Sequence, residues 1–389
     1  MRIYSSQTVF HAALNRIRWL FDEFENITVG VSGGKDSTIV FELVMMVAKE
    51  RGRLPLPVFF LDQEIEYSAT IDVIRQIMSR PDVLPYWFQI PFKLFNATSD
   101  KERFLYCWDP AEESNWMRHR EPNAIRENTF KSERFKNVIS TLPTRIFGDK
   151  SFAVIAGVRT EESPVRFVSL TNAATYKWAT WGMVVSKPKS QYVFYPIYDW
   201  SYTDVWAAIF KNNWPYNRVY DYQYADGVSV GDMRISSLIH ETAVKNLFTL
   251  QQYEKETYSK LCNRLGGVHS AAHAGKDNFF AHELPHMFCD WAEYRDHLLK
   301  NLISPDLQPK FREKFKEYEP IAIHLGDRLY KAEVQSILAN DWEFVKLGNF
   351  LRKSNQIELA NQFLGKNKTS GKQKESQRVA KIIERDRNE

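Results

Sequence analysis

The feature that most constrains this chain is an alternation. From residue 27 to about residue 213, short β-rich apolar runs take turns with longer segments of helical period. ITVGV (27–31) precedes TIVFELVMMVAKE (38–50), and PVFFLD (57–62) precedes YSATIDVIRQIMSR (67–80). LPYWFQIPF (84–92) is a third strand candidate, and SERFKNVISTLPTRI (132–146) reads as a helix broken near Pro143. FAVIAGV (152–158) and YVFYPI (192–197) read as strands. SPVRFVSLTNA (163–173) reads as a helix with Pro164 in its first turn, and SYTDVWAAIFKNN (201–213) opens with a capping pattern, Ser201 to Asp204. Such alternation predicts an α/β fold: a doubly wound, mostly parallel sheet with right-handed crossovers. Ligands of these sheets bind beyond the carboxyl ends of the strands. Segments 32–37, 62–67 and 157–166 all fall there, so they can converge on one crevice.

Around this core, residues 7–24 carry Phe10, Ala13, Leu14, Ile17, Leu20, Phe21 and Phe24 at helical spacing. Residues 96–130 read as a long, Trp-rich loop, and strand alternation stops after about residue 214. The predicted organisation is an amphipathic helix (1–24), an α/β domain (25–235), a mainly helical accessory region (236–364) and a basic tail (365–389). The 389 residues are 44% hydrophobic and 26% charged, which fits a soluble globular protein and excludes collagen and wholesale disorder. The net charge is +4; Lys366 to Glu389 holds eight Lys/Arg and four Asp/Glu, so the tail accounts for the whole surplus. That tail reads either as a solvated segment or as an arm that touches DNA, RNA or an acidic partner. No window reaches about 18 consecutive apolar residues and no signal peptide opens the sequence, so a cytoplasmic protein without a membrane anchor is expected. Cys107, Cys262 and Cys289 are too few and too scattered for a disulfide framework or an iron–sulfur cluster.

The strongest local signal is Ser32-Gly33-Gly34-Lys35-Asp36-Ser37 between the first strand and its helix. Two glycines let the backbone turn sharply and approach a ligand closely. Successive N–H groups at a helix N-terminus form an anion nest. Ser32 and Ser37 add hydroxyls, and Lys35 adds a point charge suited to phosphate. Asp36 cannot bind an anion directly and reads as a magnesium ligand or a helix cap. The spacing matches neither GxxxxGK[ST] nor GxGxxG.

SGGKDS after a strand resembles the pyrophosphate-binding loop of the adenine-nucleotide α-hydrolase (ATP pyrophosphatase) superfamily, and within it the phosphoadenosine phosphosulfate (PAPS) reductase branch. FLDQEIEY (60–67), GVRTEESPVR (157–166) and YPIYDWSYTDVWAAI (195–209) resemble further segments of that family in the same order. The resemblance implies that Ser32, Gly33, Gly34, Lys35, Asp36 and Ser37 cradle nucleotide phosphates and that Asp62 lies near the adenosine. It implies that Gly157 leaves room for the nucleotide and that Arg159 and Arg166 contact phosphate or sulfate oxygens, as two arginines beside a glycine turn suit. Lys35, Asp36 and Arg159 become the catalytic candidates, with Asp36 the candidate for Mg.

The family's shared step is attack on the α-phosphate of ATP with loss of pyrophosphate, which asks the protein for positioning and charge neutralisation. The expected ligand is ATP or a related adenylyl nucleotide, PAPS included. Where reductases carry cysteines, PYNRVYDYQYADGVSVGDMRISSL (215–238) has none, so thiol-based sulfate reduction is not expected unless an external thiol serves. That stretch resembles a cysteine-poor subfamily found beside ParB-like proteins, which implies as a further alternative a nucleotide-sensing subunit acting with such a partner on DNA or transcription. Two other patterns stand out. His282-Glu283-Leu284-Pro285-His286 spells a zinc-protease motif, but Pro285 would break the helix that motif needs; His269 and His273 share its spacing. Trp108, Trp116, Arg118, His119 and Arg120 form an aromatic-basic stretch suited to stacking a base or to a lid.

Overall fold

The protein is seen in a computed structural model that describes residues 6–98, 102, 104–240, 244–268, 283–339, 341–344, 347–348 and 350–351. The chain forms two compact units, the first spanning residues through 96 and 104–273, the second 97–103 and 274 onward. The first unit therefore runs past residue 235 and takes in helices predicted for the accessory region.

Its centre is a six-stranded sheet in the order β3-β2-β1-β6-β8-β7. The strands are β1 (Ile27–Gly30), β2 (Leu56–Leu61), β3 (Val83–Phe88), β6 (Phe152–Ile155), β7 (Gly182–Ser186) and β8 (Gln191–Phe194). All neighbours pair in parallel except β7, which runs antiparallel to β8 at the edge. The parallel strands are almost continuously apolar because helices cover both faces. Val29, Val58, Ala153 and Ile155 are fully buried beneath the apolar sides of α1 (Val9–Glu23), α2 (Lys35–Glu50) and α3 (Ser68–Met78). The remaining helices of the unit are α4 (Phe135–Phe147), α5 (Pro164–Thr171), α6 (Tyr202–Asn212), α7 (Val219–Ala225), α8 (Val244–Tyr253) and α9 (Lys255–Arg264).

Three expectations change. The third strand candidate divides at Gln89-Ile90-Pro91: β3 stays in the main sheet, while β4 (Phe92–Phe95) pairs with β5 (Phe104–Cys107) in a separate antiparallel hairpin. Pro91 has no N–H to continue the ladder. Helix α4 runs through Pro143 instead of breaking, because Val138, Leu142 and Pro143 are buried together and packing outweighs one lost hydrogen bond. Strand β7 was not foreseen; Met183 and Val184 are about half exposed, so an edge strand carries no clean alternation.

The second unit contains helices over Trp291–Asn301, Gln308–Tyr318, Ala322–Leu325 and Asp327–Leu338. Phe311, Phe315, Leu329 and Trp342 are buried, and Arg295 pairs with the fully buried Glu333 at 2.9 Å. Residues 283–290 are turn and bend, not the helix a zinc-protease motif requires; His269, His273 and His282 lie outside the described residues, as does the 365–389 tail. No described helix is long and apolar enough to cross a membrane.

Candidate functional site

Strand order reverses between β1 and β6: the chain builds outward from β1 through β2 and β3, then returns to start again at β6. At such a switch point, the loops that leave the carboxyl ends of the two neighbours are where ligands of these sheets bind. They are 31–34 and 156–163, the two segments richest in predicted site residues.

The first loop is held by its own hydroxyls. Ser37 Oγ accepts from the Ser32 amide (3.1 Å), donates to Gly34 O (2.9 Å) and shares a hydrogen bond with Ser32 Oγ (3.1 Å). The serine hydroxyls thus shape the turn before they can serve a ligand. Gly33 has φ +69, and a Cβ there would meet Thr70 Cγ2 at 2.8 Å, so only glycine fits. Gly34 is the N-cap of α2 and supplies no side-chain cap. The amides of Gly33, Gly34, Asp36 and Ser37 find no acceptor among the described residues. Three other helices that follow strand ends are stoppered. The α3 amides of Ser68 and Ala69 are taken by Glu254 at 2.7 and 3.1 Å, that of Arg166 in α5 by Ser163, and those of Tyr202 and Asp204 in α6 by Glu161 and Ser201.

Gly157 corrects an expectation. A Cβ on it would lie 2.5 Å from Asp36 C and 2.7 Å from Ser37 N. The space it leaves is filled by the backbone of α2, not by a ligand; Gly157 seats the first loop against the second. Arg159 closes the same seam. It is 3% exposed, its Nε donates to Asp36 Oδ1 at 2.5 Å and its Nη1 to Glu161 Oε2 at 2.8 Å. Lys35 Nζ stands 3.5 Å from Asp36 Oδ2. Asp36 therefore faces a cation on each oxygen, and among the described residues no group of three His, Cys, Asp or Glu could hold a metal ion. Its expected role as a magnesium ligand does not fit this arrangement.

Asp62 is also corrected. It is fully buried and receives Trp87 Nε1 (2.8 Å), Gln89 Nε2 (2.9 Å), the Glu64 amide (2.9 Å) and the Arg118 guanidinium. Adjacent Glu64, with φ +63, takes the Trp108 amide and Arg264 Nε, each at 2.7 Å. These carboxylates organise the 104–120 segment and leave no edge for adenosine. Trp108 is fully buried, and Arg120 stacks on Trp116 at 4.4 Å, so the aromatic-basic stretch is consumed internally rather than offered to a nucleic-acid strand. Burial, and then the Asp62 charge, push the carboxyl of Glu66 up to about 8. Folded protein holds that proton while unfolded chain has released it above 4.5, so Glu66 costs stability progressively as pH rises from 4.5 to 8. Urea unfolding of Glu66→Gln is expected to match wild type near pH 4.5 and to exceed it by roughly 5 kcal/mol above pH 8; an equal difference at both pH values would contradict this.

The segment after α6 supplies residues that the sequence reading missed. Asn217 Nδ2 donates to Gly33 O (3.1 Å), Tyr220 Oη accepts the Lys35 amide (2.9 Å), and Met233 O accepts Lys35 Nζ (3.0 Å). Arg234 donates to Glu162 O at 3.1 Å, and Arg166 pairs with the Glu162 carboxylate while remaining 45% exposed. Burial pushes the Lys35 ammonium below its ordinary value; Asp36 opposes this, while Arg159 and Arg234 add to it. Burial and then Arg234 lower Arg166 likewise. Four cations (Lys35, Arg159, Arg166, Arg234) against three carboxylates (Asp36, Glu161, Glu162) leave one net positive charge beside the open amides. Cysteine lies elsewhere: the thiol of Cys107 is buried, raised well above its ordinary value by that burial, and directed at Gln63 O.

Residues 26–272 match the family described as the phosphoadenosine phosphosulfate reductase domain. The chain is 28% identical to the uncharacterized protein YbdN of Escherichia coli (strain K12), over 76% of this chain and 75% of that one. It is 25% identical to an adenosine 5'-phosphosulfate reductase of Lysinibacillus sphaericus (strain C3-41), over 56% of this chain and 77% of the other. Among solved structures, an FMN adenylyltransferase of Candida glabrata aligns with a TM-score of 0.35 at 16% identity, covering 57% of this chain and 62% of that chain, less than two thirds of its length.

Proposed function

This chain belongs to the phosphoadenosine phosphosulfate reductase domain family, and from that premise we propose that it binds ATP or a related adenylyl nucleotide and cleaves the bond between its α- and β-phosphates. The observation that carries this reading is the uncapped N-terminus of α2: four amides without acceptors, at the switch point of the sheet, beside a net positive cluster. Amides aimed into one space at a helix start suit phosphoryl oxygens. An acceptor nucleophile attacks the α-phosphorus, the bond to the bridging oxygen breaks, and pyrophosphate leaves with the electron pair. The loop amides hold the phosphates, while Arg166 and Arg234 at the rim offset the charge that develops on the leaving group. Arg159 and Lys35 act from beneath, fixing the loop through Asp36. Cys107, buried and held protonated, is assigned no role.

The test combines binding and turnover. With magnesium and α-labelled ATP, wild-type protein is expected to bind ATP and to release pyrophosphate, with the labelled AMP moiety carried by the acceptor or, where water attacks, released as free AMP. Gly34→Ala is the clean disabling variant. Its Cβ would clear Ser32 Oγ and Tyr220 Oη by 3.5 Å each and its φ is ordinary, so the fold is kept. The added methyl narrows the space in front of the amides, and ATP affinity should fall at least tenfold at unchanged melting temperature. Wild-type protein that binds no ATP would sink the proposal. Thioredoxin-dependent release of sulfite from PAPS would replace it with a reductase.

A further inference from the structure

Tyr220 is 3% exposed, and its hydroxyl oxygen accepts the amide of Lys35 at 2.9 Å. A phenol oxygen can accept one hydrogen bond and still donate another. Burial pushes this phenol well above its ordinary value, so the hydroxyl keeps its hydrogen. That hydrogen has no acceptor among the described residues. Accepting the Lys35 amide already favours tyrosine over phenylalanine here, and the hydroxyl's own hydrogen is a second hydrogen bond still to be made; a buried donor left unmade costs about 1–3 kcal/mol.

The geometry indicates where that oxygen comes from. Tyr220 Oη lies 3.5 Å from the position a Cβ of Gly34 would occupy. Because Gly34 has no side chain, the hydroxyl borders the space onto which the Gly33, Gly34, Asp36 and Ser37 amides open. The ring is held from two sides: Lys35 Nζ lies 5.0 Å over it, and Trp206 meets it edge-on at 5.4 Å. Its anchor is Asn217, three residues earlier, which ties Gly33 O to Thr70 Oγ1.

We propose that the Tyr220 hydroxyl is a further donor of the phosphate cradle, giving its hydrogen to a phosphoryl oxygen while its own oxygen keeps the Lys35 amide in line. This rests on the nucleotide reading above and adds a side chain to it. A tyrosine donor selects for ligands that place an anionic oxygen at the mouth of α2, so it discriminates by phosphate and not by base.

The experiment compares wild type with Tyr220→Phe, using the full chain and three probes: ATP, inorganic pyrophosphate and adenosine, each titrated directly or by competition with a fluorescent ATP analogue. Tyr220→Phe keeps the ring and its packing. It is expected to weaken ATP and pyrophosphate about tenfold or more, the cost of one hydrogen bond to a charged group, and to leave adenosine unchanged. Equal affinity for ATP and pyrophosphate in the two proteins overturns the inference while leaving nucleotide binding intact. Equal losses for all three probes overturn it as well, and so does a loss for ATP and pyrophosphate that comes with a lower melting temperature of the free protein, which would mark the freed Lys35 amide and a reshaped loop as the cause. Wild-type protein that binds neither ATP nor pyrophosphate overturns the nucleotide reading and this inference together.

Discussion

Gly157→Ala is expected to remove nucleotide binding almost completely, by about a hundredfold, although residue 157 touches no ligand in the reading above. The added Cβ would sit 2.5 Å from Asp36 C, 2.6 Å from Asp36 O and 2.7 Å from Ser37 N. These are backbone atoms in the first turn of a helix, and they cannot rotate away as the end of a side chain can. The loop must move, and a displacement of about 1 Å in a positioning element costs on the order of a hundredfold. Overpacking at such a seam also costs about 1–3 kcal/mol of stability. Equilibrium ATP binding beside a thermal melt separates the two effects. A variant that melts earlier yet binds ATP normally would show that the seam is not what aligns the amides.

Asp62→Ala is expected to be the most destabilising single change in the first unit, at about 3–5 kcal/mol, the range for breaking a buried ion pair from one side. Its carboxylate is fully buried and serves Trp87, Gln89, the Glu64 amide and Arg118. Removing it strands the Arg118 guanidinium, whose side chain is only 16% exposed. Arg118 also donates to Glu64 O, so the loss spreads into the segment that carries Trp108 and Arg120. Chemical denaturation of Asp62→Ala and of the double variant Asp62→Ala/Arg118→Leu gives the check. The double variant should recover part of the loss, because it no longer buries an unpaired charge; no recovery would mean that the pair itself matters little.

The contrast between these two positions shows what a sequence can disclose. The alternation of strands and helices was legible because a parallel sheet covered on both faces leaves nearly pure apolar runs, as in β1, β2 and β6. The 32–37 loop was legible because six small and polar residues interrupt two such runs, and Arg159 because it follows a glycine turn at a strand end. Gly157 and Asp62 were found, but the protein contacts they make were not. A glycine signals that something comes close without saying what, and here it is the backbone of α2. An acid at a strand end signals a buried polar group, yet its partners Trp87, Gln89 and Arg118 come from segments that only folding brings together. Asn217, Tyr220, Met233 and Arg234 were not legible at all. They lie after the last clear periodic segment; one acts through a carbonyl, which any residue offers, and Tyr220 is one of three tyrosines in VYDYQYA with nothing in the pattern to single it out. Strand β7 escaped for a related reason, since an edge exposed on one side blurs its own period.

Glu254 has a consequence for traffic of charged molecules over this surface. By lodging its carboxylate against the first amides of α3, the chain answers with its own acid the attraction that any helix start exerts on passing anions. Glu161 and Asp204 do the same at α6. Among the described residues, the helix starts of α3 and α6 are thus closed by the chain's own acids, while that of α2 is left without such a stopper.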